Sequence, residues 1–459
     1  MIRRWLVLAA LLPGAALLPD ATRAADRPTY QDFRYDEDWR AMTDPAQRTD
    51  VLDPIKWVPI TNDPDWYVTF GGELRERYEA SRNPVFGLSG PARNDYLLHR
   101  LFLFGDLHLG PQVRTFVELV NGLTAGWRGT PPATQENQLD LLQGFAEWRP
   151  LGDRSAWIRA GRQEMSFGSS RLISVREAPN VRRAFDGVRA SWSGTGIRVD
   201  GVAVRPVAPQ RGSFNDPSDS AQAFWGAYAT VTTPVTNVDV YYLGLTRENA
   251  RFAQGTATER RHTIGARQFG KRGAVDWNIE EAVQFGSFGE AAIRAWTVSA
   301  NLGFTARDLP LAPRFGFNAD AISGDRDATD GTLGTFNPLF PKLPYFSEAN
   351  LAAPANLYDI QPNLTLSLTP DVTASVGWNL LWKQALADAF YAPPLSPVRG
   401  TAGGSGRFIG QQVSLSATWS VTDALAIGGT YVHYEPGGRT RAAGGQAGDF
   451  FTAWLQWQF

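Results

Sequence analysis

The chain has 459 residues, of which 12% are aromatic, with a formal net charge of −2 and a slightly negative mean hydropathy. High aromatic content without overall hydrophobicity is typical of strands that have one apolar and one polar face. The acidic balance argues against a nucleic-acid-binding protein. Because the sequence contains no cysteine, an exported form of it has no disulfides and needs another source of stability.

The first 24 residues have the pattern of a secretory signal peptide. Arg3 and Arg4 precede an apolar stretch, and small residues follow it up to Ala24. Pro13 interrupts this stretch, which is already short for a membrane anchor. We therefore predict a signal peptide over residues 1–24 and a periplasmic N-terminal segment over residues 25–65.

From Trp66 to the C-terminus, apolar and polar residues alternate with a period of two. The final run places these residues on one side: Phe451, Ala453, Leu455, Trp457 and Phe459. Each run has about ten residues, the length that a tilted strand needs to cross a bilayer. The runs number about eighteen, and they start near residues 66, 96, 113, 139, 156, 185, 197, 223, 238, 260, 274, 293, 313, 355, 372, 408, 424 and 450.

The connections between these runs alternate in length. Even-numbered connections are short, such as 110–112 and 421–423. Odd-numbered connections are mostly long, roughly 80–95, 121–138, 166–184, 206–222, 246–258, 324–354, 384–406 and 435–449. The sixth odd-numbered connection, near 287–292, is short. This pattern predicts an all-β fold, a transmembrane antiparallel β-barrel of about eighteen strands over residues 66–459, rather than a soluble β-sandwich or β-solenoid.

A barrel also explains why the chain ends on an apolar strand. We predict that the last strand pairs with the first, so that neither is an exposed edge. The apolar face of that strand then contacts outer-membrane lipid. Phe459 is predicted to belong to the signal by which the barrel assembly machinery recognises such strands.

Several stretches resemble the alginate export family of outer-membrane porins. They are "GRQEMSFGSSRLI" (161–173), "NVRRAFDGVRA" (180–190), "GTFNPLFPKLPYF" (334–346), "NLYDIQPNLTLSLTP" (356–370), "GWNLLWKQALADAFYAPP" (377–394) and "GRFIGQQVSLSATW" (406–419). The resemblance covers nearly the whole mature chain, including the segment before the first strand. It implies an eighteen-stranded barrel in the bacterial outer membrane that conducts an anionic polysaccharide or smaller solutes.

One departure from the family pattern concerns the periplasmic side. The alginate secretion porin has a long periplasmic turn between strands 16 and 17 that helps to cover the pore. The corresponding connection here is only about residues 421–423. A periplasmic gate of that kind, and with it a specific role in alginate secretion, is therefore not predicted.

Charged side chains at the narrowest part of such a water-filled channel decide which solutes pass. Residues 159–189 contain seven arginines and three acidic residues, and arginine binds carboxylates through two parallel donors. The predicted pore residues are Arg75, Arg77, Arg100, Arg114, Arg162, Arg171, Arg182, Arg183 and Arg189, with Glu73, Glu118, Glu164 and Asp186. The alternative is that these arginines pair with carboxylates and brace the wall.

The sequence also contains one acidic stretch with metal-ligand spacing. Asp325, Asp327 and Asp330 precede Gly331, which resembles part of a calcium loop. The match is incomplete, because Thr329 occupies a ligand position and no glutamate closes the loop. Structural calcium is therefore the one metal or cofactor that the sequence suggests, and the alternative is a solvated surface turn.

The sequence shows none of the usual catalytic motifs. It has no HExxH, GxSxG or P-loop pattern, and its four histidines are scattered. We predict a passive channel, not an enzyme, that conducts an anionic polysaccharide or small organic anions as a monomer. The alternatives are a general uptake porin for small organic acids, sugars or aromatics, and an outer-membrane hydrolase.

Overall fold

The computed structural model describes residues 28–459, so the predicted signal peptide over residues 1–24 lies outside the described residues. Eighteen antiparallel strands, numbered in chain order, form the wall of a closed barrel. They are β1 (Trp66–Arg82), β2 (Arg93–Leu109), β3 (Val113–Ala125), β4 (Asn137–Trp148), β5 (Ala156–Gln163), β6 (Phe185–Gly194), β7 (Ile197–Pro206), β8 (Gln222–Thr232), β9 (Asn237–Phe252), β10 (Gly255–Arg272), β11 (Val275–Phe288), β12 (Ala291–Thr305), β13 (Arg314–Ile322), β14 (Leu357–Ser367), β15 (Val372–Lys383), β16 (Phe408–Ser420), β17 (Leu425–Pro436) and β18 (Gly448–Gln458).

The barrel closes through the first and last strands, as predicted. Strand β1 pairs with β18 in antiparallel register from Glu73 opposite Gln458 to Arg82 opposite Asp449. The Gly72 amide donates to the Phe459 carbonyl at 2.7 Å, and the Phe459 amide donates back to the Gly72 carbonyl at 3.0 Å. The chain therefore ends within the hydrogen-bonded wall, and neither terminal strand is a free edge.

The two faces of the wall differ as the alternation predicts. Outward residues such as Phe70, Leu103 and Leu415 are more than 40% exposed in the isolated chain. Inward polar residues such as Glu73 and Gln143 are fully buried. The outward face is thus apolar and suited to lipid, while the inward face holds the polar groups.

The connections follow the predicted alternation with one correction. The connection predicted over 246–258 is only Ala253–Gln254, because β9 and β10 continue as a long hairpin. Polar residues suggested a loop there, but they belong to the wall: Arg247 Nη2 lies 2.9 Å from a Glu259 carboxylate oxygen on the neighbouring strand. The sixth outer connection is short, as predicted, and the connection between β16 and β17 spans only residues 421–424.

The remaining elements are short. There are 3-10 helices at Arg34–Asp36, Arg40–Thr43, Pro45–Gln47, Asp53–Lys56 and Pro84–Gly87, and one α-helix, α1 (Gly438–Ala442). Two-residue strands occur at Val58–Pro59, Thr332–Leu333, Tyr391–Ala392 and Ser396–Pro397. In the part of the chain from residue 28 to 459, no helix is long and apolar enough to cross a membrane.

Candidate functional site: the occupied bore

The interior of the barrel, called the bore, is crossed by the loop between β5 and β6. On one wall, Arg75 Nη1 donates to the Glu177 carbonyl of this loop at 2.8 Å. On the other wall, Arg171 Nη1 donates to Asp320 Oδ1 of β13 at 2.8 Å, and its Nη2 donates to Asn301 Oδ1 of β12 at 2.5 Å. Residues 164–184, called the first bore loop, therefore span the barrel from one side to the other.

A second loop, residues 323–356, enters the bore and packs on the first. Ile173 and Phe340 form a parallel β-bridge between the two loops. The Phe340 ring contacts Phe185 and Phe224 of the wall, with centroids 5.2 and 5.3 Å apart. This second bore loop is also held by Arg77, whose Nη2 lies 2.7 Å from a Glu348 oxygen. Together the two loops divide the bore into smaller spaces.

A buried ion-pair network fixes the first bore loop to β1 and β2. Arg100 is fully buried and bonds both the Glu73 carboxylate and, at 2.5 Å, Glu177 Oε1. Arg182 bonds Glu177 and lies 3.4 Å from Glu164 Oε2. Burial raises the pKa of Glu177, but Arg100 and Arg182 outweigh burial and lower that pKa. Glu177 is therefore ionised at neutral pH and links the two guanidinium groups.

Arginines line a cavity of about 370 Å³ at the end of the barrel that carries the short turns, called the short-turn end. Arg159 of β5 and Arg189 of β6 are directly opposite each other, and both guanidinium groups lie over the Trp157 ring, at 4.8 and 5.2 Å. Three carboxylates, Asp36, Glu147 and Asp200, accompany six arginines. The arginines of this arginine cavity are Arg114, Arg149, Arg154, Arg159, Arg189 and Arg198.

A second cavity, of about 560 Å³, lies between the bore loops and β18. We call it the serine cavity, because four hydroxyls of the first bore loop line it: Ser166, Ser169, Ser170 and Ser174. The polar lining is completed by Asp32, Glu177, Arg182, Lys342, Gln456 and Gln458. A larger cavity, of about 770 Å³, lies on the outward face of the wall around β8–β12 and does not belong to the bore.

The N-terminal residues 28–57, called the N-terminal strap, lie in the short-turn end of the bore. The Tyr35 side chain is buried, and its ring packs edge-on against Phe116 and Phe145. Arg34 Nη2 donates to Glu73 Oε2 of β1 at 3.0 Å. The alternation that reveals strands carries no information about such a segment, so its position in the bore could not be predicted.

Two positive groups of the first bore loop have no acidic partner among residues 28–459. Arg176 and Arg183 form no ion pair within 4 Å, and the Arg183 guanidinium lies 5.0 Å from the Phe340 ring centroid. Burial and the nearby Arg176 both lower the pKa of Arg183. These two arginines are therefore cations of the first bore loop that no carboxylate of the described residues neutralises directly.

The structure places most of the predicted pore residues on the inward face or in the first bore loop. The group comprises Glu73, Arg75, Arg77, Arg100, Arg114, Glu118, Glu164, Arg171, Arg182, Arg183 and Arg189. Most of them form ion pairs or hydrogen bonds within the protein. This agrees with the alternative interpretation, in which the arginines pair with carboxylates and brace the wall. Sequence reasoning missed Arg149, Arg154 and Arg198. Arg149 lies two residues after Glu147, and Arg198 lies two residues before Asp200, a spacing that places each arginine on the same face as its carboxylate.

Arg162 and Asp186 are the exceptions, and they correct the prediction. Arg162 lies on the outward face of β5 with the exposed Ile158, whereas Arg159 lies on the inward face. The Arg162 Nε donates to Asp186 Oδ1 at 2.8 Å. Residues 207–221 cover this pair, since Arg162 Nη2 also donates to the Asp216 carbonyl at 2.9 Å. The pair therefore fastens an outer loop to the wall and does not face the bore.

The suggested calcium loop has its carboxylates turned to different local partners. Asp325 accepts from Gln254 Nε2 at 2.5 Å, Asp327 accepts from the Thr329 amide at 3.0 Å, and Asp330 accepts from the Thr332 amide at 2.8 Å. In residues 28–459 there is no group of three or more His, Cys, Asp or Glu side chains placed to hold a metal ion. The structure therefore does not bring the three aspartates together as a ligand set.

Comparisons with known proteins agree with the barrel. The family model described as Alginate export matches residues 66–453. No curated protein sequence matches the chain. Solved structures match across 85% of this chain: OccK11 (OpdR) of Pseudomonas aeruginosa (11% identity, 96% of that chain, TM-score 0.56), OpdK of the same organism (9%, 98%, 0.57) and OccAB3 of Acinetobacter baumannii (10%, 99%, 0.56). At these identities the likeness concerns the fold.

Proposed function

The chain belongs to the alginate export family, and we propose that it passes anionic solutes through the arginine cavity. The family and the barrel make it a passive channel of the bacterial outer membrane, surrounded by lipid. They indicate a channel rather than an enzyme. The anionic selectivity, the roles of individual pore residues and the monomeric state are our proposals.

The observation that carries the proposal is the arrangement of Arg159 and Arg189. Like charges directly opposite each other on neighbouring strands destabilise a sheet, and these two buried arginines are each offset by one carboxylate, Arg159 by Glu147 at 2.6 Å and Arg189 by Asp200 at 2.8 Å. Six arginines and three carboxylates line the same cavity. A cleft with an excess of one charge and low-dielectric walls concentrates ions of the opposite charge. An entering carboxylate therefore supplies the negative charge that this part of the wall lacks.

Arg176 and Arg183 extend this path toward the long-loop end of the barrel. They lie in the first bore loop and lack a carboxylate partner among the described residues. Arginine keeps its charge at any working pH and presents a planar fork to a carboxylate. We propose that a solute passes between these two groups of arginines, with a change of partner at each step.

The sizes of the cavities favour small organic anions over a polymer in this conformation. Volumes of about 370 and 560 Å³ fall in the range that holds single small molecules. OpdK, a fold neighbour, has been solved with vanillate, a small aromatic acid. We therefore propose small organic acids as the solutes that fit this conformation, and we keep the anionic polysaccharide that the family implies as the other candidate.

Planar-bilayer recording tests the proposal. In a salt gradient the reversal potential of the wild-type channel should indicate that anions are more permeant than cations. Arg159→Gln with Arg189→Gln should shift it toward cations, and the fold should survive, because Glu147 keeps Arg149 and Asp200 keeps Arg198 as ion-pair partners. Arg93→Gln, which removes an exposed arginine outside the bore, is the matched control.

The outcomes separate the candidates. Block of the current by uronate oligomers supports a polysaccharide channel, whereas block by small aromatic or organic acids alone supports the uptake porin. An unchanged reversal potential in the double variant contradicts the selectivity proposal.

A further inference from the structure

The N-terminal strap occupies the place through which a solute must pass at the short-turn end. Phe33, at the tip of the strap, lines both the arginine cavity and the serine cavity. Close to it in the chain, the centroid of the Tyr35 ring lies 4.1 Å from the guanidinium carbon of Arg159. Arg159 is one of the arginines that we propose to bind the passing anion. We infer that the N-terminal strap is a gate that closes this end of the bore, an inference that rests on the proposed channel function.

The strap has two parts with different chemistry, and this permits one part to move while the other stays. Residues 38–57 form an apolar anchor, in which Trp39, Met42 and Trp57 pack with Tyr67 of β1. The Trp57 and Tyr67 rings stack with centroids 3.7 Å apart. Residues 28–37 form the tip, where Arg34 bonds Glu37 and Glu73 at 2.8 and 3.0 Å. In the described residues no backbone–backbone hydrogen bond joins the tip to the wall, whereas Val58–Pro59, directly after the anchor, pair with β1. The tip is therefore the part that leaves.

The tip also contacts the first bore loop, which couples the two obstructions. Arg182 Nη1 donates to the Asp32 carbonyl at 3.1 Å, and Tyr35 Oη donates to the Glu164 carbonyl at 2.9 Å. Arg114 Nη2 donates a hydrogen bond to the Tyr35 carbonyl at 2.6 Å. When the tip leaves, Arg114 and Arg182 lose protein acceptors and face the opened space. Opening therefore joins the two cavities and exposes cations in one step.

The proposed gate would close the bore without a long periplasmic turn between β16 and β17. The connection between β16 and β17 spans only residues 421–424, too short to reach across the opening. The chain directly after the strap joins the wall where Val58–Pro59 pair with β1, and the anchor packs on Tyr67 of the same strand. The strap is therefore the segment near the short-turn end with both the length and the attachment to close the bore.

Two matched variants in the cysteine-free chain test the gate. Arg34→Ala with Tyr35→Ala removes the tip contacts, and we expect single-channel conductance or open time to rise at least threefold. Arg40→Ala is the control, because Arg40 pairs with Asp38 at the exposed rim of the same segment. Heat-modifiable mobility in gels reports whether each barrel has folded.

A reversible tether provides the second measurement and does not depend on loss of contacts. Tyr35→Cys with Phe116→Cys places thiols where two rings pack 6.0 Å apart. The pair should conduct before treatment with a short, reducible bismaleimide, close after it, and reopen on reduction. Equal conductance in all variants, with anion selectivity retained, would overturn the gate and leave the channel intact. No current from any folded variant would overturn both.

Discussion

The two sides of the barrel wall carry different chemistry. Strands β1–β7 point a dense set of arginines and carboxylates into the bore, and these hold the first bore loop and the N-terminal strap. In strands β14–β18 of the described chain, the charged inward residues are Asp359 and Lys383 alone. Serine, threonine, asparagine and glutamine supply its other polar groups, and apolar side chains such as Leu381, Val432 and Phe450 pack on the remainder. The barrel thus has an ionic wall and a neutral wall.

The difference shows that charge in this bore has two uses. On the ionic wall, most charges are satisfied within the protein and position the segments that narrow the channel. On the neutral wall, side chains bond each other, as in the contact of 2.7 Å between the Ser375 and Ser416 hydroxyls. Solute selectivity then depends on the arginine cavity of the ionic wall, where six arginines outnumber three carboxylates.

The largest expected effect comes from removing a charge of the ionic wall. Arg100→Ala leaves the fully buried Glu73 without its closest partner and leaves Glu177 of the first bore loop with Arg75 and Arg182 alone. Loss of one member of a buried ion pair costs about 3–5 kcal/mol. We expect a decrease of that size in the free energy of unfolding, measured by urea titration in lipid vesicles.

The neutral wall provides the comparison for that measurement. Asn379 is also buried and bonds Asp359 and Gln412 at 2.9 and 3.0 Å. Asn379→Ala removes one hydrogen bond to the Asp359 carboxyl and one from the Gln412 amide, but no ion pair, and should cost about 1–2 kcal/mol. Equal losses in the two variants would contradict the division into an ionic and a neutral wall.

A smaller effect is expected when a charge is added to the neutral wall. Ser416 lies on the inward face of β16 and is half-buried. Ser416→Arg should raise the anion-to-cation permeability ratio by about twofold, and Ser416→Glu should lower it similarly, since charges that line a pore set its ion preference. Reversal potentials measure both. Ser405→Arg, in the exposed loop between β15 and β16, should leave the ratio unchanged.

The wall was predictable from the sequence, because alternation with a period of two is a local signal. The predicted starts of β1, β3, β5, β6, β7, β15 and β16 match the structure, and the largest difference is at β10, predicted near 260 and observed at Gly255. The same alternation indicates the correct, outward face for Arg162. It is three residues from Arg159, so the two must lie on opposite faces, although the arginine-rich window suggested one group.

The contents of the bore were not predictable in the same way. Arg171 meets Asp320 across 149 residues of sequence, and the path of a loop follows no period. The strap depends on contacts such as Arg34 with Glu73 and Tyr35 with Phe145. Each is a pairing between a segment without regular structure and a distant strand. A composition of charges can indicate a polar bore, but only the folded chain shows which charges are already paired.

A pH-dependent effect is expected from a single proton in the first bore loop, beside the ionic wall. Gln143 Nε2 donates to Glu118 Oε2 at 2.6 Å and to Glu164 Oε2 at 3.3 Å, so one amide serves two buried carboxyl groups. Burial raises the pKa of Glu164 from its ordinary value near 4.5 to about 8, while Arg182 opposes this and Glu118 adds to it.

Because the pKa of Glu164 is higher in the folded state, the folded protein binds more protons between pH 4.5 and about 8. The free energy of unfolding should therefore fall as pH rises through that window. Glu164→Gln keeps a neutral group at this position at every pH and should flatten the decline, measured by urea titrations at pH 5 and pH 9. Glu290→Gln, at an exposed hairpin, should retain the wild-type decline. A decline of equal slope in Glu164→Gln would mean that other groups of the ionic wall, and not this carboxyl, bind the proton.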